Sequence, residues 1–327
     1  MKLLITGGAG FIGARLARTL LARGELAGRA IERLVLADLV AAPDDLRADP
    51  RVQVRVGTVL ELAEQLNGER FDGVFHLASA VSSECEADFE LGLRSNLDST
   101  RALLDALRAA ANAPRLVFSS SVAVFGSDPA LPLPAVVRDD TLPTPQSSYG
   151  VQKFICEQLV ADYTRKGFID GRVARLMTVS VRPGRPNGAA SSFLSGIIRE
   201  PLAGQEAICP VSPDTEVALA SPANTIAGLI AVFEASREAF GGRTALNLPA
   251  LTARVQDMLD ALESVGGSEA RSLVRFVPDD TIARIVGSWP ARFESPRGEC
   301  LGLKADTDFR SIVEQYRGDF PAAVRPA

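Results

Sequence analysis

The 327-residue sequence predicts an α/β fold: a doubly wound parallel sheet, with a smaller α+β region on the C-terminal side. Three observations carry the prediction. Through the first half, short apolar runs alternate with longer amphipathic stretches, the pattern of βαβ units whose helices cover both faces of a parallel sheet. Right-handed crossovers then wind the sheet in both directions. A glycine-rich turn, Thr6-Gly7-Gly8-Ala9-Gly10-Phe11-Ile12-Gly13, stands between the first apolar run and the first amphipathic stretch.

Each element is read from its period. Leu3–Thr6 is a buried strand, and Phe11–Ala22 a helix with Ile12, Leu16, Leu20 and Leu21 on or near one face. Leu34–Ala37, Val52–Val56, Val74–Ala78, Leu116–Ser119 and Val173–Val179 are the following strands. Ser95–Ala111 and Tyr149–Lys166 are long helices between them. Pro183–Ala190, rich in Gly, Pro and Asn, is a loop. Ser191–Glu200 and Asn224–Ala235 are helical, and Ala245–Leu248 is a strand that returns to the sheet. From Leu251 onward the expectation is short helices and turns.

Composition removes several classes of function. At 46% hydrophobic and 23% charged residues the chain builds a sizeable core. Its net charge of −5 leaves no broad basic surface for nucleic acid. No apolar run approaches the ~18 residues of a membrane span, and the run after Met1 stops at Thr6-Gly7-Gly8, too short for a signal peptide. Cys85, Cys156, Cys209 and Cys300 show no C-x-x-C spacing, which argues against zinc or a redox dithiol and fits a reducing cytoplasm. One histidine, His76, leaves little material for a His-based metal site or nucleophile; it is read as a core residue of the fourth strand. No metal is expected.

The chemistry concentrates at strand ends. A strand–Gly–helix turn brings backbone N–H groups and a helix N-terminus against a pyrophosphate, and a side chain at the glycines blocks that approach. Gly7, Gly10, Phe11, Ile12 and Gly13 form this candidate dinucleotide site, a Rossmann-type arrangement. Asp38, ending the second strand 25 residues after Gly13, suits both ribose hydroxyls of NAD and repels the 2′-phosphate of NADP. The usual spacing is about 20, and Gly24–Arg29 is the small insertion that lengthens it. Tyr149 and Lys153 stand at i and i+4 on one helix face. A free tyrosine titrates near ~10 and is a poor base, and a nearby ammonium favours its phenolate. Only Lys2, Lys153, Lys166 and Lys304 are lysine; the rest of the 35 cationic residues are arginine. A compact lysine at this position is therefore pointed, since lysine also reaches a ribose hydroxyl. Ser119-Ser120-Ser121 closes the fifth strand, on the side where parallel-sheet ligands bind; it serves equally well as a loop start satisfying backbone groups.

Together these pieces resemble the extended short-chain dehydrogenase/reductase family, which includes nucleotide-sugar epimerases and dehydratases. The resemblance spans nearly the whole chain, through Thr6–Gly13, Asp38, His76-Leu77-Ala78-Ser79, Asn96, Ser119–Gly126, Pro145–Gly150 and Lys153. It implies that Tyr149 is the general base, that Lys153 tunes it and holds the nicotinamide ribose, and that Ser121 positions the reacting hydroxyl. It implies that Val59, Leu77, Ala78, Ser79 and Val179 line the NAD crevice, that Asn96 supports the site, and that the chain forms a homodimer through its Ser95–Ala111 and Tyr149–Lys166 helices.

Departures from the family pattern narrow the substrate. Gly57-Thr58 stands where an acid usually follows the glycine. Val122-Ala123 replace the Asp-Glu pair of dehydratases, so elimination lacks its acid and base. Glu216–Pro222 replaces a stretch common in nucleotide-sugar members, and Thr178-Val179 replaces Asn-Pro. Ser180–Phe193, by contrast, together with Ser119–Gly126 and Tyr149–Val160, is similar to the branch that oxidises a small four-carbon sugar acid, D-erythronate, at C2 with NAD. A small acid needs a cation for its carboxylate; Arg182 is the preferred ligand and Arg185 the reserve, with Asn187, Ser191 and Ser192 as donors to its hydroxyls. On this reading residues 1–179, completed by 224–249, bind NAD, and 180–223 with 250–327 bind substrate. Two rivals stay open: a nucleotide-sugar epimerase with tightly bound NAD, and a non-catalytic NAD(H)-binding sensor, which needs none of Ser121, Tyr149 and Lys153.

Overall fold

The computed structural model describes residues 1–66, 68–184 and 190–325. Its central sheet has seven strands: β1 (Lys2–Thr6), β2 (Arg33–Asp38), β3 (Val52–Val56), β4 (Gly73–His76), β5 (Arg115–Ser121), β6 (Asp170–Leu176) and, much later in the chain, Leu246–Asn247. The spatial order is Leu246–Asn247, β6, β5, β4, β1, β2, β3, every pairing parallel. The order reverses between β1 and β4, and parallel strands put every carboxyl end on one side. A crevice therefore opens beyond Thr6 and His76, the place where such sheets bind ligands.

Strand alternation sorts the core. Leu3 and Ile5 of β1 face one layer with Leu34 and Leu36, packed against α1 (Phe11–Arg23) and the Pro222–Glu234 helix; Leu4 and Val35 face the other. That second layer is α2 (Val59–Leu66), α3 (Ser99–Ala109) and α4 (Ser148–Arg165), through Leu62, Leu103, Leu107, Cys156 and Val160. The segment Gly24–Arg29 contributes to a two-strand hairpin, Glu25–Leu26 with Arg29–Ala30, which accounts for the long spacing to Asp38.

A second core gathers the remaining chain around α5 (Phe193–Leu202), α6 (Val255–Ser272) and α7 (Phe309–Asp319). Here the structure adds to the expected run of short helices and turns the strands Leu251–Arg254 and Val274–Phe276, while α6 is two helical pieces joined at a kink. The break falls at the Gly266-Gly267 pair, where Gly267 stands at φ 79°. The expected strand Val173–Val179 is also two pieces. Asp170–Leu176 stays in the main sheet, while Thr178–Val179 crosses to a three-strand sheet with Glu216–Ala220 and Leu251–Arg254. No described helix is long and apolar enough to cross a membrane.

Candidate active site

The glycine turn is held by contacts only glycine allows. A Cβ on Gly13 would lie 2.0 Å from the Gly7 oxygen, and one on Gly7, at φ 71°, would meet the Ala78 nitrogen at 2.8 Å. The turn thus presses α1 onto itself and onto the Leu77–Ser79 loop. Gly10 caps α1 with no side chain, leaving the helix N-terminus facing the crevice. Asp38 Oδ2 accepts from Ala9 N at 3.0 Å and Gly10 N at 3.2 Å, so its carboxylate stands beside the turn. Phe11, Ile12 and Val59 are half-buried at helix starts, and Val179 is buried. The acid missing at Thr58 is partly offset locally: Glu61 Oε2 accepts from Thr58 N at 2.7 Å, an N-terminal box for α2.

His76 takes the core role expected of it. Thr100 Oγ1 donates to Asn96 O at 2.6 Å, so it accepts from His76 Nε2–H at 2.9 Å, and Nδ1 accepts from Thr6 Oγ1 at 2.6 Å. Thr6 Oγ1 in turn accepts from Ala78 N. Burial, with the Lys153 charge beside it, pushes the imidazole down to about 3, so it stays neutral. Asn96 sits buried in a π-helical turn, Leu93–Asp98, ahead of α3. Its Oδ1 accepts from Ser79 Oγ and Ala80 N, and its Nδ2 donates to Gln152 Oε1 at 2.8 Å. The crevice loop and the α4 helix are thereby tied through one side chain.

α4 is capped by Ser147, whose hydroxyl accepts from Gly150 N at 3.1 Å. A Cβ on Gly150 would lie 2.1 Å from the Ala123 oxygen, so this glycine lets the first turn approach the loop after Ser121. Lys153, almost fully buried, donates from Nζ to Ser119 O at 2.9 Å and lies 5.5 Å from the Tyr149 ring centroid. Ser121 accepts from Ala123 N. Glu86, from the Ser82–Ala87 helix, accepts from Ser148 N at 2.7 Å.

Ser121, Tyr149, Arg182, Ser191 and Ser192 all line one cavity of about 1120 Å³. Arg182 is fixed through Nε to Val179 O at 3.1 Å and through its backbone N to Ser195 Oγ at 3.0 Å. Among the described residues no acid forms an ion pair with it. Burial, with the Arg199 charge nearby, pulls its guanidinium below the ordinary value. Arg185 and Asn187 lie outside the described residues. The far wall is apolar, with Val217, Ile282, Ile285, Val286 and the single tryptophan, Trp289. Sequence reasoning missed that wall, along with Glu86 and Gln152. Gln152 was within reach, one residue before Lys153, whereas the wall comes from segments with no shared motif.

The fold is that of a dinucleotide-binding α/β protein, with Ser121, Tyr149 and Arg182 facing one cavity. A model of the NAD dependent epimerase/dehydratase family matches residues 3–218, and the chain belongs to that family, the extended short-chain dehydrogenase/reductases. D-erythronate dehydrogenase of Cupriavidus necator is 48% identical over 98% of this chain and 98% of its own length. The Haemophilus influenzae D-erythronate dehydrogenase is 42% identical, covering 97% and 98%. Among solved structures, a nucleoside-diphosphate-sugar epimerase from Agrobacterium tumefaciens superposes with a TM-score of 0.92 at 40% identity, over 99% of this chain and 95% of that one.

Proposed function

We propose that the protein oxidises D-erythronate to 2-dehydro-D-erythronate with NAD. NAD, when bound, accepts the hydride. The glycine turn and the uncapped start of α1 suit its pyrophosphate, Asp38 its adenosine ribose, and Leu77–Ser79 the crevice wall. Lys153 holds the nicotinamide ribose and supplies the cation beside Tyr149. Tyr149 takes the C2 hydroxyl proton, and Ser121 orients that hydroxyl. Arg182 binds the carboxylate, Ser192 and Asn187 the remaining hydroxyls, and Arg185 stands in reserve. Residues 1–179 with 224–249 form the NAD-binding part; 180–223 and 250–327 form the substrate-binding part.

The observation that carries this reading is the joint presence of Ser121, Tyr149 and Arg182 on one cavity, with Arg182 unpaired by any described acid. A guanidinium there places a carboxylate next to the carbon whose hydroxyl meets the base, which is C2 of a sugar acid. The near-full-length likeness to two D-erythronate dehydrogenases supports the same substrate. The epimerase reading draws on the Agrobacterium structure and on a cavity larger than a four-carbon acid fills. Four unpaired cysteines suit the cytoplasm. Val151 and Ile155, exposed on α4, suit a homodimer.

Tyr149→Phe tests the assignment of the base. NAD affinity stays unchanged, while turnover falls at least about a hundredfold, the low end for a general base. Near-normal turnover would remove Tyr149 from that role. Lys153→Arg also turns over poorly despite keeping charge, because its geometry differs.

A further inference from the structure

We infer that Glu157 is a positioning residue for the reacting set: its carboxylate fixes the strand end carrying Ser121 against the helix carrying Tyr149 and Lys153. The inference rests on the proposed roles of those three residues.

Glu157 lies four residues beyond Lys153 on α4, one turn along the same face. It is buried, at 2% exposure, so its charge depends on protein partners for stabilisation. Ser120 Oγ donates to its Oε1 at 2.6 Å. Arg175 donates from Nε to Oε1 at 2.9 Å and from Nη2 to Oε2 at 2.7 Å, a two-pronged pair. Ser120 and Arg175 are direct neighbours across β5 and β6. One carboxylate therefore grips two adjacent strands from above.

The gripped point matters because of its flanks. Ser119, one residue before Ser120, gives its carbonyl to Lys153 Nζ. Ser121, one residue after, lines the cavity with Tyr149. Ser120 itself does not line that cavity, and its hydroxyl is given to Glu157. Arg175 also stacks 4.8 Å from the ring of Phe125 in the loop beyond Ser121, and its Nη1 reaches Asn247 Oδ1 at 3.5 Å on the strand at the sheet edge. The clamp thus spans three strands and the loop that shapes the hydroxyl site. A buried pair adds little net stability over an apolar substitute, so a positioning role explains its cost better than fold stability does.

Removing the acid leaves a buried unpaired arginine and risks misfolding, so Ser120→Ala is the primary variant and Glu157→Gln the second. Turnover and binding are measured with D-erythronate and NAD, beside melting temperature. In Ser120→Ala the turnover falls about fivefold to tenfold, because small displacements of reacting groups are expensive. KM for the acid, NAD affinity and melting temperature stay near their original values. Glu157→Gln, where it folds, falls further in turnover. In a Tyr149→Phe background, Ser120→Ala changes turnover no further, since the clamp acts through that base. Two results overturn the inference: turnover within about twofold of the parent in both variants, or turnover, NAD affinity and melting temperature declining together. Tyr149→Phe alone retaining activity would instead defeat the proposed function.

Discussion

In the proposed function, Arg182 is the residue at which a sugar acid and an uncharged sugar part company. Losing a charged hydrogen bond in such a site costs about 1.5–3 kcal/mol. Arg182→Ala should therefore raise KM for the acid roughly 10–100-fold with NAD affinity unchanged, checked by steady-state kinetics beside cofactor titration. An unchanged KM would move the carboxylate site elsewhere. His76 gives a prediction in pH. Its folded-state value is depressed to about 3, against 6.5 when unfolded. Between those values the unfolded chain binds the extra proton, so stability rises with pH through this window and the contribution is fully present above 6.5. Acidification below 6.5 then loses up to about 1.4 kcal/mol per pH unit from this one group. His76→Gln, which keeps a donor and an acceptor, should flatten the fall in melting temperature between pH 6.5 and 4 relative to the parent. An identical slope would show that His76 titrates normally. Tyr149 and Lys153 were legible because their spacing on one helix face has a chemical meaning. Glu86 and Arg175 were not, because each acts through a residue distant in sequence.

The glycine turn divides its labour between packing and approach. Gly13→Ala places a methyl 2.0 Å from the Gly7 oxygen, whereas Gly10→Ala meets that oxygen at 3.3 Å, a far milder contact. Gly13→Ala should lower the melting temperature by several degrees. Gly10→Ala should melt near the parent yet lose NAD affinity, because its methyl stands where the pyrophosphate must approach. Thermal melting beside NAD titration separates them, and equal melting losses would contradict the division. The main-sheet strands of the first half, and the helices read at Phe11–Ala22, Ser95–Ala111 and Tyr149–Lys166, were legible to within four residues, since a parallel sheet buried on both faces imposes continuous apolar runs; the helices Val59–Leu66 and Ser82–Ala87, too short for a clear period, were not read. The second half was less so. Leu176-Met177-Thr178-Val179 reads as one apolar run, yet the chain changes sheets within it.

At the scale of the molecule, the crevice beyond β1 and β4 meets a cavity walled by the second core, which supplies Arg182 and the apolar far side. The cofactor side of this arrangement was readable because it uses a contiguous motif at each strand end. The substrate side was not, because its wall joins α5, the Glu216–Ala220 strand and the Asp280–Gly287 helix, segments near only in the fold. The central claim is net oxidation of a small sugar acid rather than internal hydride return. Absorbance in the NADH band, followed with the purified protein, NAD and either D-erythronate or a panel of nucleotide sugars, tests it directly. The account predicts steady NADH accumulation with D-erythronate and none with any nucleotide sugar. No NADH from D-erythronate, together with conversion of a nucleotide sugar to its epimer, would contradict it.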